Sequence, residues 1–212
     1  NRHAFIWRDS VMTDLGTLTT GISAAKAIND SDEVTGKSDV NPQPDDEGGF
    51  EYDRGAFFWK DGSMIDIGHL GGHGSYGNAI NNSGVVVGAS LRMDSLVIKA
   101  YSWNGSIQDL GIDDNFRSEA WGINNSGKII GWKDIPGGAS EGWLFDAGLT
   151  TNLGQGVIPY DINDQGEIVG WYHPSVGGGT HAFLWKEGNL IDLSLLANQN
   201  LSAANSINSS GE

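Results

Sequence analysis

Short apolar runs separated by turn-forming residues make up most of this chain. The runs are rich in Val, Ile, Phe and Trp, as in residues 56–59 and 181–185. Between them lie sequences of the type Asn-x-Ser-Gly, in which a side chain folds back onto the backbone and glycine supplies a positive φ. Runs of this length and composition predict β-strands joined by tight turns, and they are too short for helices.

The apolar runs belong to one module that occurs five times. Its first half is His-Ala-Phe-x-Trp followed by Asp-Leu-Gly, and the copies begin near residues 3, 55, 99, 141 and 181. Its second half is Ser-x-Ala-x-x-Ile-Asn, followed by a turn and a short apolar run that ends in Gly. Five copies of one unit indicate a repeat architecture in a single domain that spans residues 1–212.

Each copy predicts four short strands, named a to d. Strand a is Ser-x-Ala-x-x-Ile-Asn, strand b is the run that ends in Gly, strand c is Ala-Phe-x-Trp, and strand d ends in Asp-Leu-Gly. Two hairpins in a unit of roughly 40 to 45 residues match the blade of a β-propeller. The predicted fold is therefore all-β, a β-propeller of five blades with four short antiparallel strands each. A β-solenoid is the main competitor, although its coils are shorter and do not contain two hairpins.

The two ends of the chain bear on the number of blades. The chain opens with strands c and d and closes with strand a, so the terminal strands together supply most of one blade. Such a composite blade would close the ring and remove exposed strand edges. The alternative is a fragment of a larger propeller, because strand b of the composite blade is missing.

Residues that recur in four of the five copies are predicted to be architectural. The tryptophan of strand c recurs at positions 7, 59, 103 and 185 and is expected to pack between blades. The aspartate of strand d recurs at positions 14, 66, 109 and 192 and is expected to cap a turn. His3 and His181 open equivalent strands, which favours a structural role for both.

The candidate binding surface is the face on which the copies differ in loop length. Length changes fall only after strand b and after strand d, and in an antiparallel blade these two connections lie on the same face. Loops on a rigid framework are where binding usually occurs, although a lack of constraint explains variable loops equally well. The side chains predicted to bind ligand there are Trp132, Lys133, Trp171, Tyr172, His173, His73 and Arg117.

The aromatic residues on this face favour a carbohydrate ligand. Aromatic faces stack on the apolar side of a sugar ring while neighbouring polar groups bind its hydroxyls. Trp132 and Trp171 are the strongest candidates, because each directly follows the glycine that ends strand b. The alternative for each tryptophan alone is apolar packing at the end of a blade.

Catalysis receives little support from the sequence. It contains no Gly-x-Ser-x-Gly, no His-Glu-x-x-His and no phosphate loop. A polysaccharide lyase needs a base and a cation against a uronate carboxylate, and the available side chains are Arg117, Tyr172, His173 and Lys133. Nothing in their spacing requires this role, so the chain is expected not to be an enzyme.

Composition argues against several kinds of partner. The net charge is -15, with 27 acidic and 12 basic residues, which argues against nucleic acid. No apolar run approaches the roughly 20 residues that a membrane helix needs, so no membrane insertion is expected. The absence of cysteine excludes disulfides, thiolate catalysis and thiolate metal sites.

No cofactor is predicted. The longest loop carries Asp45, Asp46 and Glu47, whose carboxylates could bind calcium, but a solvated acidic loop is the preferred interpretation because the Asp-x-Asp-x-Asp-Gly spacing is absent. His69 and His73 stand four residues apart in a glycine-rich stretch. Without helical support this spacing makes metal binding the lesser interpretation.

In combination, His-Ala-Phe-x-Trp, Asp-Leu-Gly and Ala-x-x-Ile-Asn-x-x-Gly-x-Val-Val-Gly resemble the HAF repeat. The resemblance covers essentially the whole chain, is strongest at residues 56–88 and 181–193, and weakens at 141–143 and 157–161. It implies a bacterial, extracellular repeat protein and names no reaction, because this family has no assigned biochemical function. No signal peptide is recognisable, so export is expected for a longer or processed form.

The sequence therefore predicts a secreted or surface-displayed protein that binds a glycan through its variable loops. One alternative is an enzyme that acts on polysaccharide, either a lyase or a glycoside hydrolase. The other is a structural or adhesive module whose ligand is a surface protein.

Overall fold

The protein is built from β-strands. The computed structural model describes the backbone of residues 2–44, 50–95, 97–174, 178–194 and 201–212, and their side chains except for 41–44 and 50–53. Over these residues it contains eighteen strands and no α-helix, and hence no helix long and apolar enough to span a membrane. The contacts divide the chain into two compact units, Asn1–Leu110 and Gly111–Glu212.

The N-terminal unit contains ten strands. They are β1 (Ala4–Arg8), β2 (Val11–Gly16), β3 (Ser23–Ile28), β4 (Val34–Pro44), β5 (Phe50–Lys60), β6 (Ser63–Asp66), β7 (Gly71–Ile80), β8 (Val86–Arg92), β9 (Val97–Trp103) and β10 (Ile107–Asp109). β1 and β2 form a separate hairpin. The other strands form two antiparallel groups, β3 to β6 and β7 to β10, which are joined by one parallel bridge between Arg54 and Gly74.

The C-terminal unit contains eight strands in two four-stranded antiparallel sheets. They are β11 (Ser118–Ile123), β12 (Ile129–Ile135), β13 (Ala139–Asp146), β14 (Leu149–Gln155), β15 (Val157–Ile162), β16 (Ile168–Tyr172), β17 (His181–Lys186) and β18 (Asn189–Asp192). The sheet orders are β11-β12-β13-β14 and β15-β16-β17-β18. The predicted succession a, b, c, d is confirmed four times, with β3, β7, β11 and β15 as strands a.

A β-bulge in strand a lies opposite the glycine of strand b in all four groups. The pairing of β11 with β12 skips one residue after Ala120, and the other three strands a show the same shift. A Cβ added to the facing glycine would lie 1.9 to 2.1 Å from a strand a carbonyl oxygen at Gly36, Gly88, Gly131 and Gly170. Only glycine fits against this carbonyl, which explains why strand b carries a glycine at this position in all four groups.

The asparagine that ends strand a stabilises its own turn and binds the next copy. Asn163 Oδ1 accepts hydrogen bonds from the backbone N–H groups two and four residues ahead, at 3.1 and 2.9 Å. Its Nδ2 donates to the carbonyl of Asn208 in the next copy at 3.1 Å. In the N-terminal unit Asn29 Nδ2 donates to the carbonyl of Asn81 at 2.9 Å. A buried amide is thereby satisfied, and consecutive copies are linked within each unit.

The serine that opens strand a links its four-stranded group to the preceding one. Ser75 Oγ accepts from the backbone N–H of Ala56 at 2.9 Å and donates to the carbonyl of Gly68 at 2.7 Å. In the copy that departs from the pattern, Val157 replaces the serine and Gly142 replaces the alanine. A Cβ on Gly142 would lie 2.8 Å from the Val157 carbonyl, so the two replacements compensate each other.

Strand limits differ from the predicted ones. Loops were expected over residues 37–54, 89–98 and 132–140, but β4 continues to Pro44, β8 to Arg92 and β12 to Ile135. In the longer hairpins, backbone N–H and C=O groups bond to the facing strand, whereas in an open loop they would bond to water. The predicted fifth strand a, residues 202–208, is not a strand, because it pairs with no strand b; Leu201 makes only an isolated bridge with Thr180.

Trp103 and Trp185 are half-buried, and the prediction that the strand c tryptophans pack between blades is wrong for Trp7. Its exposed fraction is 64%, whereas that of Trp59 is 8%. Within its unit β1 pairs only with β2, while β5 lies between β4 and β6. Trp59 packs with Phe57 and Val34 in a buried cluster for this reason.

Replacing a strand b glycine is expected to destabilise the fold. Gly88→Ala places a methyl group 2.0 Å from the Tyr76 carbonyl oxygen, and relief of this overlap costs about 2 kcal/mol of unfolding free energy or more. Urea denaturation measures the loss. Gly74→Ala is the control, because its Cβ meets nothing closer than 3.4 Å and should change the free energy by less than about 0.5 kcal/mol. Equal stabilities of the two variants would refute the role given to the bulge.

Candidate functional site

Two positions in each four-stranded group, both next to the constant contact between strand a and the strand b glycine, differ widely between copies in size and charge. One is the bulge residue of strand a, which has no partner residue in the ladder; it is Lys26, Asn78, Trp121 and Tyr160 in the four groups. The other follows the strand b glycine and is Lys37, Ala89, Trp132 and Trp171. A bulge re-aims a side chain without changing the strands around it, so these positions can vary while the fold is kept.

In the C-terminal unit all four of these positions are aromatic and form a continuous array. The rings of Trp132 and Trp121 meet edge to face, with centroids 6.5 Å apart. Trp121 stacks on Tyr160 at 5.3 Å with an interplanar angle of 16°. Trp171 Nε1 donates a hydrogen bond to the Tyr160 hydroxyl at 2.8 Å. The aromatic array, defined by these four residues, therefore joins two neighbouring sheets.

One end of the aromatic array carries a charged pair. The Arg117 guanidinium lies 5.3 Å from the centre of the Trp132 ring and forms an ion pair with Glu119. Glu119 Oε2 also accepts a hydrogen bond from Trp121 Nε1 at 3.0 Å. The carboxylate is only 6% exposed while the guanidinium is 44% exposed. The pair fixes the orientation of both tryptophans and brings no net charge to the site.

The other end of the aromatic array opens into a cleft of about 480 Å³. Trp171 and His173 lie in contact there, with ring centroids 5.0 Å apart. His173 Nδ1 lies 2.8 Å from the Gly179 carbonyl, which can only accept, so Nδ1 donates and the neutral ring keeps Nε2 as an acceptor. The lining residues of the cleft are Gly138, Ala139, Ser140, Gln155, Gly156, Ile158, Trp171 and His173.

The structure brings together four of the seven residues predicted to bind ligand. Arg117, Trp132, Trp171 and His173 lie on or beside the aromatic array. Trp132 and Trp171 belong to strands β12 and β16, not to loops. Trp132 Nε1 is buried and has no partner among the described residues, so this side chain offers its ring and not its N–H group.

Lys133 does not join the aromatic array. Its ammonium group lies 3.3 Å from Asp113 and 3.5 Å from Glu141. Burial alone would raise the pKa of Asp113, but hydrogen bonds from the Asn115 and Phe116 backbone and from Lys133 lower it overall. Adjacent residues of a strand point to opposite faces of the sheet, so the Lys133 and Trp132 side chains lie on different faces.

Tyr172 is directed away from the aromatic array for the same reason. Its hydroxyl donates to Asp192 Oδ2 at 2.9 Å, and His181 Nδ1 contacts the same oxygen at 2.8 Å. Burial alone would raise the pKa of Asp192, but the hydrogen bonds from Ser194, His181 and Tyr172 outweigh it and hold that pKa well below its usual range. The structural role predicted for His181 and for the strand d aspartate is confirmed.

His73 lies in the N-terminal unit, in strand β7. It lines a separate cleft of about 210 Å³ together with His69, Asp66 and Arg54. His69 Nδ1 accepts a hydrogen bond from the backbone N–H of Gly71 at 2.9 Å. Over the described residues no three His, Asp or Glu side chains are grouped so as to hold a metal ion. The proposed calcium ligands Asp45, Asp46 and Glu47 lie outside the described residues.

Comparison with known proteins yields distant structural likenesses. No protein-family model matches the sequence, and neither does any curated protein. The structure is similar to the Pyrococcus horikoshii acylaminoacyl peptidase, with a TM-score of 0.49 and 15% identity, over 76% of this chain and 28% of that one. It is also similar to a mutant of AofleA from Arthrobotrys oligospora, with a TM-score of 0.44 and 13% identity, over 98% of this chain and 69% of that one. At these values neither likeness bears on function.

Sequence reasoning missed Trp121, Tyr160 and Glu119. It treated strand a as architecture because its serine, alanine, isoleucine and asparagine recur. The signal was the variation between copies inside that strand, where lysine, asparagine, tryptophan and tyrosine occupy one position. Loop length alone could not show it.

Asp192 is expected to make the protein less stable in acid. Because its pKa is lower in the folded than in the unfolded chain, its contribution is complete above the unfolded pKa, near 4, and is lost as pH falls below it. Asp192→Asn should cost about 2 kcal/mol of unfolding free energy at neutral pH, and the difference from wild type should shrink below pH ~4. Urea denaturation across this pH range measures it, with Asp61→Asn on an exposed turn as the control. A difference that stays constant with pH would contradict the assignment.

Proposed function

We propose that this protein binds a glycan, and that the aromatic array with its adjoining cleft is the binding surface. The observation that carries the proposal is the continuity of the array. Trp132, Trp121, Tyr160 and Trp171 occupy two equivalent positions in two neighbouring sheets, and each ring contacts the next. Packing of a single blade would not require aromatic residues at both positions of both sheets.

The chemistry of the site suits a sugar ring. Half-buried aromatic rings offer apolar faces for the C–H groups of a pyranose, and the stacked pair of Trp121 and Tyr160 holds its rings rigidly. The cleft volume of about 480 Å³ lies in the range of small-ligand sites. Ser140, Gln155 and His173 supply hydrogen-bonding groups along its wall.

The charge of the site favours a neutral sugar. Among the described residues, the cation beside the aromatic array is Arg117, which is already paired with Glu119. Lys133 is paired with Asp113 and Glu141. A uronate carboxylate would therefore find no uncompensated cation among the described residues of this site, and the protein as a whole carries a net charge of -15.

We further propose that the four-stranded groups are blades of a β-propeller and that the protein acts outside the cell. The repeated a-b-c-d order and the hydrogen bonds from asparagine and serine to the neighbouring four-stranded group support the propeller. The resemblance to the HAF repeat and the absence of cysteine support an extracellular location. Five blades remain the preferred number.

The enzymatic alternative gains no support from the geometry of the described residues. The side chains considered for a lyase bind separate partners: Arg117 pairs with Glu119, Lys133 with Asp113, and Tyr172 with Asp192. General acid–base chemistry needs such groups to converge on one reacting atom. Binding without catalysis is the function we propose.

Glycan-array binding with tryptophan variants tests the proposal. Trp171→Ala and Trp132→Ala each remove a ring surface, with an expected loss of about 1.5 to 3 kcal/mol, or roughly ten- to a hundredfold in affinity. Trp171→Phe should retain part of the binding, because a ring remains.

Trp7→Ala is the matched control. Trp7 is 64% exposed but lies outside the aromatic array, so its removal should leave glycan binding unchanged. If the wild-type protein binds no glycan, or if all three alanine variants bind equally well, the proposed site is ruled out.

A further inference from the structure

The two positions that form the aromatic array in the C-terminal unit are both lysine in the group β3 to β6, which is called the first sheet below. Lys37 follows Gly36 and faces Ala24 in the register, as Trp132 faces Glu119 in the third sheet. Lys26 is the bulge residue, as Trp121 and Tyr160 are. The first sheet therefore presents two cations where the C-terminal unit presents aromatic rings.

Both lysines line one cleft in the N-terminal unit. The cleft has a volume of about 280 Å³, and its lining residues are Ala24, Ala25, Lys26, Gly36, Lys37, Tyr76, Gly77 and Asn78. Four of these residues have no side chain larger than a methyl group, which leaves room between the lysines and Tyr76. No carboxylate belongs to the lining that the structure describes.

Lys26 and Lys37 are exceptional in this acidic protein. Lys60, Lys128 and Lys186, by contrast, each have a carboxylate partner: Glu33 at 2.7 Å, Asp146 at 3.5 Å and Glu167 at 2.6 Å, respectively. Within the described part of the chain neither Lys26 nor Lys37 pairs with a carboxylate, in a chain with 27 acidic and 12 basic residues. Two ammonium groups that line one cleft make a positively charged surface, which favours an anion.

From this juxtaposition we propose that the cleft between Lys26, Lys37 and Tyr76 is a second binding site, one that takes an oxyanion group. The chemistry is that of a carboxylate, sulfate or phosphate, for which lysine acts as a mobile point charge with three donors. Tyr76 and Asn78 line the same cleft, beside which the part of the ligand that carries the anion would lie. The proposal does not depend on glycan binding at the aromatic array.

Isothermal titration at low ionic strength tests this site. The probes are trigalacturonate, inorganic phosphate, and a neutral galactose trisaccharide as the uncharged control. The proteins are wild type, Lys26→Gln, Lys37→Gln and the double variant. Lys128→Gln is the matched control, since it removes an equal charge at a turn of the C-terminal unit. Both target lysines are exposed, so the variants should unfold at the wild-type temperature.

The expected result is millimolar or tighter binding of at least one anionic probe and weaker binding of the neutral trisaccharide. Each single substitution should reduce anion affinity about tenfold and the double substitution about a hundredfold, while Lys128→Gln leaves it unchanged. Added salt should weaken the binding. Binding of trigalacturonate alone identifies an acidic sugar as the source, and binding of phosphate alone identifies a free or esterified phosphate. Absence of anion binding, or equal loss in Lys128→Gln, overturns the proposal.

Discussion

A backbone carbonyl of strand a pressed against the glycine of strand b is the contact on which the rest of each sheet depends. It leaves no room for a Cβ at Gly36, Gly88, Gly131 or Gly170. The bulge that produces it takes one residue of strand a out of the ladder. That residue no longer has to match a cross-strand partner, so it is free to vary. The constraint that fixes the glycine thus creates the variable position beside it.

Bonds between copies place these variable positions at defined distances from each other. The asparagine amide and the serine hydroxyl of strand a both bind the backbone of a neighbouring four-stranded group. Because these bonds recur, equivalent side chains in adjacent sheets stand side by side, as Trp121 and Tyr160 do. In the proposed function, the residue types that occupy these positions determine the ligand. Aromatic pairs in the C-terminal unit suit a sugar ring, and the lysine pair in the N-terminal unit suits an anion.

The repeat itself made the sheets predictable. Recurring turn sequences and apolar runs gave the four strands, their antiparallel order and the capping role of the strand d aspartate, because each depends on local backbone chemistry. The ends of the strands were not predictable. The hairpins of β4 and β12 are lengthened by backbone pairing, which the residue types in these segments do not reveal. The partners of Lys133 and Tyr172 could not be predicted either, because Asp113 and Asp192 come close to them only in the folded sheet. Trp121 and Tyr160 were visible in the sequence but stood inside a strand assumed to be invariant.

The most direct test of the account uses the indole N–H resonances of the eight tryptophans. They are followed by two-dimensional NMR while a neutral oligosaccharide that binds the protein is added. The account predicts that the resonances of Trp121, Trp132 and Trp171 shift with one common affinity, while those of the buried Trp59 and Trp143 stay in place. Shifts confined to tryptophans outside the aromatic array, or no shift for any of the three, would contradict it.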